Sequence, residues 1–246
     1  ARIPLMSVLS EKDHADILNF VQMCSEGGLI MNESFRSHPN HNFSAALIEQ
    51  YMKWVNVEAR ATRRAGGVRR GFFFDIASPS DHTYNCAIEL ASGSRPLEYQ
   101  GGIASAWPRF VTRFSAYYFD NELFEIMDAQ DRVSVISAAP VWYERFCYRR
   151  PRGRGHGQYI VHLIAKPLHI QWNILDQAPA PVMENVKVTI RPDPGWKVTS
   201  TWSLRPVEPE QTGPIDFKQQ GKRVEGVAPA AYPLRLGRLQ RGRPRR

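Results

Sequence analysis

The spacing of apolar and polar positions divides the chain into two regions of different character. Through roughly the first 130 residues, helical and strand-like patterns alternate. From Glu11 to Glu26, Ile17, Leu18, Val21 and Cys24 recur at three-to-four spacing, which predicts a helix with Ser10 as N-cap and Gly27 as its stop. Leu29, Ile30 and Met31 then break into Asn32 and Glu33, the pattern of a short buried strand that carries a carboxylate to its C-terminal end. A polar loop from Arg36 to Asn42 leads into a helix from about Ser44 to Arg64. Its stripe is Leu47, Ile48, Tyr51, Met52, Val55 and Ala59, and Gly66-Gly67 terminate it. A second strand runs from Val68 to Ile76 and ends its Phe72-Phe73-Phe74 run at Asp75. A helical segment from His82 to Leu90, a glycine-rich loop to Gly102 and a long aromatic helix from Ala106 to Met127 complete the region.

Strand, helix, strand, with a carboxylate closing each strand, is the pattern of parallel βα units. Such crossovers share one hand and parallel strands share one polarity, so Glu33 and Asp75 are expected to emerge on the same face. In parallel sheets that C-terminal face carries the chemistry.

From Asp131 the pattern changes. Short β-rich stretches are read at Arg132 to Ser137, Val141 to Tyr148, Gln158 to Ala165, Val186 to Ile190 and Trp196 to Leu204, separated by Pro/Gly-rich turns. With no helix between them they predict an antiparallel, sandwich-like domain. Beyond Pro206, Pro, Gly, Gln and Arg dominate, which predicts a poorly ordered tail. The expected organisation is therefore residues 1–130, 131–206 and 207–246. A complete eightfold barrel takes about 250 residues. The α/β region is too short for that, so it is either a smaller α/β layer or, as the non-Met start favours, a partial (β/α) barrel holding the last few βα units; an antiparallel β-sandwich-like domain is expected to follow.

Charge and cysteine content narrow the chemistry. The chain has 246 residues and a net charge of +8. Much of that charge is local: Arg235, Arg238, Arg241, Arg243, Arg245 and Arg246 crowd the end, and Arg149, Arg150, Arg152 and Arg154 cluster in one turn. Neither cluster is interleaved with stacking aromatics, which disfavours nucleic acid as the partner. No run of eighteen apolar residues exists, so no membrane span is expected. Cys24, Cys86 and Cys147 are few, odd in number, widely spaced and in no Cys-x-x-Cys pair, so neither a zinc ribbon nor a disulfide framework is implied, and they read as buried thiols. His38 and His41 have no third ligand nearby, so no metal is expected. Neither a phosphate loop nor a dinucleotide fingerprint occurs, and no cofactor is expected. Oligomeric state and compartment are not legible.

Several stretches resemble one family. Met31-Asn32-Glu33 looks like a strand-end Asn-Glu, and Cys86-Ala-Ile-Glu-Leu-Ala-Ser-Gly-Ser94 like a helix and loop that close a barrel. Phe114 to Leu123 resembles a final barrel helix, and Tyr159-Ile-Val-His-Leu-Ile164 a strand of a following β domain. Together, over roughly Leu29 to Leu204, the chain resembles glycoside hydrolases of family 66, the dextranases and cycloisomaltooligosaccharide glucanotransferases. It departs from the family pattern at Ala165, where Asn is usual, and from Pro206 onward. The resemblance implies retaining cleavage or transfer on an α-glucan or related polysaccharide, with Glu33 as acid/base. It also implies a nucleophile on an earlier barrel strand, and hence a chain that holds only half of the catalytic pair.

Glycoside cleavage needs one protonated and one ionised carboxyl flanking the bond. A glutamate at the mouth of an apolar strand suits the acid role because desolvation raises its pKa; an ion pair with Arg36 is the structural alternative for Glu33. Asp75 is the second candidate, as carboxylate partner, hydroxyl-binding residue or helix N-cap. Asn32, His38, His41, Glu98 and Trp107 are candidate sugar contacts. Glu89 is expected to face solvent and His162 to be a core histidine. A carbohydrate-binding protein without turnover is the alternative function, and a nucleic-acid binder acting through the Arg tail a more remote one.

Overall fold

The computed structural model describes residues 6–9, 29–32, 56–64, 66–71, 87–96, 106–151, 156–166, 183, 185–194, 196–205 and 211–228. The chain forms two compact units, Ala1–Asn121 with Leu168–Pro179, and Glu122–Pro167 with Ala180–Arg246.

The first unit holds a four-stranded parallel sheet of β1 (Met6–Leu9), β2 (Leu29–Asn32), β3 (Val68–Gly71) and β4 (Arg95–Pro96), in sequence order. The expected strand at Leu29 is present and pairs in parallel on both sides, Met31 opposite Val8 and Arg70. β1 had no counterpart in the sequence reading. Its four residues, Met-Ser-Val-Leu, are too short to show a periodicity of their own, and pairing with β2 defines them.

Two helix ends deliver the chain into β3 and β4 by the same device. Residues 56–64 are helical, and Gly66 (φ +81°) and Gly67 donate their N–H groups to the carbonyls of Arg63 and Thr62 at 3.0 and 2.9 Å. Residues 87–91 are helical, and Gly93 (φ +80°) and Ser94 donate to Leu90 and Glu89 at 2.9 and 2.8 Å. Each is a Schellman closure, which satisfies two orphan carbonyls and needs a left-handed residue where glycine stands.

The long aromatic helix expected from Ala106 to Met127 is shorter. Helix Ala106–Arg113 gives way to a 3₁₀ turn, Ser115–Tyr117, and the chain is extended again by Phe124–Glu125 (β5). The aromatic residues hold the unwound segment by packing. Phe110 and Tyr118 are buried with ring centroids 6.4 Å apart, and Phe114 packs 4.8 Å from Phe110. Ring burial needs these residues close in space but does not require one continuous helix.

The second unit is almost wholly antiparallel. Strands β6 (Val133–Ile136), β11 (Val186–Ile190), β14 (Phe217–Gln220) and β15 (Arg223–Ala228) form a sheet in the order β14-β15-β11-β6. β5, β8 (Cys147–Pro151) and β9 (Gly157–Val161) form a second, and the pairs β7 (Val141–Trp142) with β10 (Ile164–Ala165) and β12 (Trp202–Arg205) with β13 (Gln211–Pro214) complete it. Val133, Val186, Ile190 and Val224 from the first sheet share one core with Cys147, Tyr159 and Val161 from the second. Alternation sorts the faces: Val186 and Ile190 are buried while Lys187 and Thr189 between them are not.

Three expectations change here. Val141 to Tyr148 is two strands, because a turn closed by Phe146 N–H to the Tyr143 carbonyl (2.8 Å) interrupts it. Gln158 to Ala165 is also two, since β9 pairs with β8 and β10 with β7, while nearly every side chain along the run is buried. The segment beyond Pro206, read from composition as a poorly ordered tail, supplies β13, β14 and β15 over residues 211–228. Its polar residues fill outward positions of paired strands, and backbone pairing together with Val224 and Phe217 on the core side holds it.

Candidate functional site

In the first unit, register places Leu9, Asn32, Gly71 and Pro96 in one row at the C-terminal edge of the parallel sheet. Asn32 therefore closes β2 on the edge where a parallel sheet presents its functional groups. Trp107 belongs to helix Ala106–Arg113. Glu33, His38, His41, Asp75 and Glu98 lie outside the described residues.

Glu89 does not face solvent. It is fully buried, as are its neighbours Ala87, Ile88, Leu90 and Ala91. A helical segment buried all round has no solvent side to offer its one charged residue. Asn56, Glu58 and Thr62 on the preceding helical stretch are buried too, so both stretches carry polar groups inward. Arg63 and Tyr118 approach Gly93 closely: a Cβ there would lie 2.5 Å from Arg63 Nη1 and 3.2 Å from the Tyr118 carbonyl oxygen. The guanidinium thus rests where the helix over 87–91 ends, at the negative end of its dipole.

The second unit has a cleft of about 380 Å³ beside Asp193. Its centre is a charge network. Arg132 spans Asp128 (2.7 Å) and Asp193, while Arg149 Nη1 meets the other Asp193 oxygen at 2.6 Å. The Asp193 N–H donates to the Tyr159 hydroxyl at 2.8 Å. Arg149 also lies over the Trp196 ring at 5.5 Å, and Trp196 meets Tyr159 edge-on at 5.5 Å. Phe124 and Met127, at 53% and 81% exposure, give the cleft an apolar rim.

The electrostatics suit holding a ligand more than moving protons. The Arg132 guanidinium keeps the Asp128 carboxyl below its usual range, and the two aspartates push the Arg132 pKa up. Burial pushes the Tyr159 hydroxyl up to about 12, so it stays protonated at neutral pH. Exposed apolar surface beside fixed guanidinium and hydroxyl groups is the make-up of a polar-ligand cleft. In the sequence Asp193 stands in one of the Pro/Gly-rich turns and Arg149 in a cluster of local charge. Their 44-residue separation carries no signal; the β8–β9 pairing seats Tyr159 opposite Arg149, and the Tyr159 hydroxyl, by accepting from the Asp193 N–H, brings Asp193 to them.

Two buried groups play no part in this cleft. His162 is fully buried, edge-on to Tyr148 at 5.6 Å, and burial lowers its pKa to about 3, so it is neutral. Cys147 is a buried free thiol whose Sγ–H donates to the Tyr143 carbonyl, and burial pushes its pKa up. Among the described residues no group of three His, Cys, Asp or Glu side chains could hold a metal ion, and no helix is long and apolar enough to cross a membrane.

No family model and no curated protein sequence matches the chain. Solved structures do. A Paenibacillus cycloisomaltooligosaccharide glucanotransferase, complexed with cycloisomaltoheptaose, matches with a TM-score of 0.51 at 15% identity over 65% of this chain. Two weaker matches are an alpha-L-fucosidase from Paenibacillus thiaminolyticus (TM-score 0.34, 16% identity, 46% of this chain and 16% of that one) and a Novosphingobium rhamnosidase (0.29, 11%, 89% and 17%). The chain spans 27% of the length of the glucanotransferase. At such identities the first match is a likeness of fold: the chain shares with part of that enzyme the way its elements are arranged.

Proposed function

We propose that the chain is the C-terminal part of a (β/α) barrel joined to a β-sandwich-like unit, in a carbohydrate-active protein related to glycoside hydrolase family 66. The observation that carries this reading is the order β1-β2-β3-β4, all parallel, with Asn32 in the row that ends the sheet. A doubly wound sheet reverses its strand order at a switch point, whereas a barrel adds each strand beside the last. These four strands follow the second rule, and a β-rich unit comes after them, as the fold likeness to the glucanotransferase also supports.

In this reading Glu33, the residue after Asn32, is the acid/base, and the substrate is an α-glucan or related polysaccharide. Asp75 is the second carboxylate or a hydroxyl-binding residue, and Asn32, His38, His41, Glu98 and Trp107 are sugar contacts. Retention calls for a nucleophilic carboxylate about 5–5.5 Å from the acid. The second reading is a glucan-binding protein that keeps the sugar-shaped groove without turnover.

Calorimetric titration with isomaltooligosaccharides, run beside a reducing-end assay, tests both. Saturable binding with product release that Glu33→Gln abolishes supports the enzyme. Binding without product, and none restored when azide or formate is added to stand in for the nucleophilic carboxylate that the resemblance places on an earlier strand, supports the binding protein. A folded chain that binds no neutral α-glucan overturns the proposal.

A further inference from the structure

The outward face of the β14-β15-β11-β6 sheet carries a second surface of different chemistry. It forms an open groove of about 360 Å³ in which five cationic side chains face two carboxylates. Pairing arranges the cations. Val133 pairs with Ile190 and Ile190 with Val224, all three buried on the core side. One position along each strand, Arg132, Arg191 and Arg223 therefore fall in a single row on the opposite face, with Gln220 beyond them as the partner of Arg223. The Arg191 N–H donates to the Arg132 carbonyl at 2.8 Å, so the pairing reaches this row. The neighbouring row runs Ser134, Thr189, Glu225, Lys218 across all four strands.

The cations of this face are compensated unequally. Arg132 is held by Asp128 and Asp193, and Lys187 by Glu225 at 2.8 Å. Arg191 and Arg223 stand side by side on adjacent strands, both exposed, with exposed Lys218 nearby in the same groove. Like charges facing each other across strands are destabilising. An arrangement that costs the fold stability, on a face free to take neutral residues, is what an anion would relieve.

We infer that this face binds an acidic glycan, a chain whose sugar units carry carboxylates. Arg191 and Arg223 spring from backbones one strand spacing apart, roughly 5 Å, and guanidinium groups match carboxylates in forked pairs. Ser134, Thr189 and Gln220 supply hydrogen-bonding groups between the cations for sugar hydroxyls. Among the described residues no aromatic side chain lines the groove, and base stacking is what single-stranded nucleic-acid sites add to positive charge. The choice of a glycan among polyanions rests on the carbohydrate reading above; the anion-binding site itself rests on the arginine row.

The test uses the full chain with oligogalacturonate, an uncharged isomaltooligosaccharide and oligothymidylate as probes, at low and high ionic strength. Oligogalacturonate should bind at low salt and weaken as salt screens the charges. The double variant Arg191→Gln/Arg223→Gln should lose at least about tenfold in that affinity, with an unfolding midpoint equal to or above that of the parent because the like-charge row is gone. The control Arg238→Gln/Arg241→Gln, in the Arg-rich C-terminal segment, should retain it. Uronate binding lost in the control but kept in the sheet variant would overturn the inference. So would oligothymidylate binding more tightly than the uronate and depending on the same arginines. Failure of the neutral glucan to bind, with uronate binding intact and dependent on Arg191 and Arg223, would remove the function proposed above and leave this site standing.

Discussion

The indole of Trp196 lies against Gly157 so closely that a Cβ on the glycine would fall 2.0 Å from its Cη2 atom and 2.6 Å from Cζ3. The ring cannot yield freely, because Tyr159 meets it edge-on and Arg149 covers it. Arg149 in turn holds Asp193. One missing methyl group thus sets the position of the ring that backs the Asp193 cleft.

Gly157→Ala should therefore destabilise the second unit by about 1–3 kcal/mol through overpacking. It should also quench or shift Trp196 fluorescence in the folded state. Gly213→Ala is the control, since nothing lies within 4 Å of its added methyl. Urea unfolding of both variants checks this, and equal midpoints would show that Trp196 moves aside without cost.

Gly93 and Gly66 share a left-handed backbone but not their surroundings. Alanine at Gly66 meets nothing within 4 Å and should cost about 1 kcal/mol, the conformational term alone. Alanine at Gly93 adds contact with Arg63 and with the Tyr118 carbonyl, and should cost at least about 1 kcal/mol more. Thermal unfolding of the two single variants reads the difference directly.

His162 makes stability depend on pH in one direction. Its folded pKa, about 3, lies below the ordinary histidine value of 6.5, so the unfolded chain takes up the proton first. The folded state gains fully from the neutral ring above pH 6.5 and loses that advantage as pH falls toward 3, by up to about 1.4 kcal/mol per unit. Replacing His162 with glutamine should flatten the stability profile between those limits and leave its slope above pH 7 unchanged. An unaltered slope between pH 6 and 4 would remove His162 as its source.

Strands β13 to β15 should be indispensable to the second unit. Ending the chain at Pro206 removes β14 and β15 from the four-stranded sheet, takes β13 from β12, and leaves β11 as an edge with Val186 and Ile190 uncovered beside the lost Val224. That truncation should abolish cooperative unfolding of the unit and create dye-binding apolar surface. Val224→Ala, a milder change at a residue only 2% exposed, should cost about 1–2 kcal/mol. Retained cooperativity in the truncated chain would show that the remaining sheet closes on its own.

Local signals in the chain were readable where one segment holds its own explanation. The break of Leu29-Ile30-Met31 into Asn32 gave β2 its place, the Gly66-Gly67 pair marked a true helix end, and the alternation Val186-Lys-Val-Thr-Ile190 marked β11 with both its faces. Glu33, His38, His41, Asp75 and Glu98 lie outside the described residues.

What local pattern could not supply was decided by partners distant in sequence. Glu89 sits in a stretch whose neighbours are all buried, and helical periodicity cannot show that every side is covered. Residues 211–228 look like a polar tail until pairing with β11 and β12 satisfies their backbone. The Asp193 network and the row of Arg132, Arg191 and Arg223 bring together residues up to 91 positions apart. Periodicity records which face of an element is buried, since that follows from the spacing of side chains along one backbone. Which elements meet across a sheet depends on the register of paired strands and on a shared core, and those exist only in the folded chain.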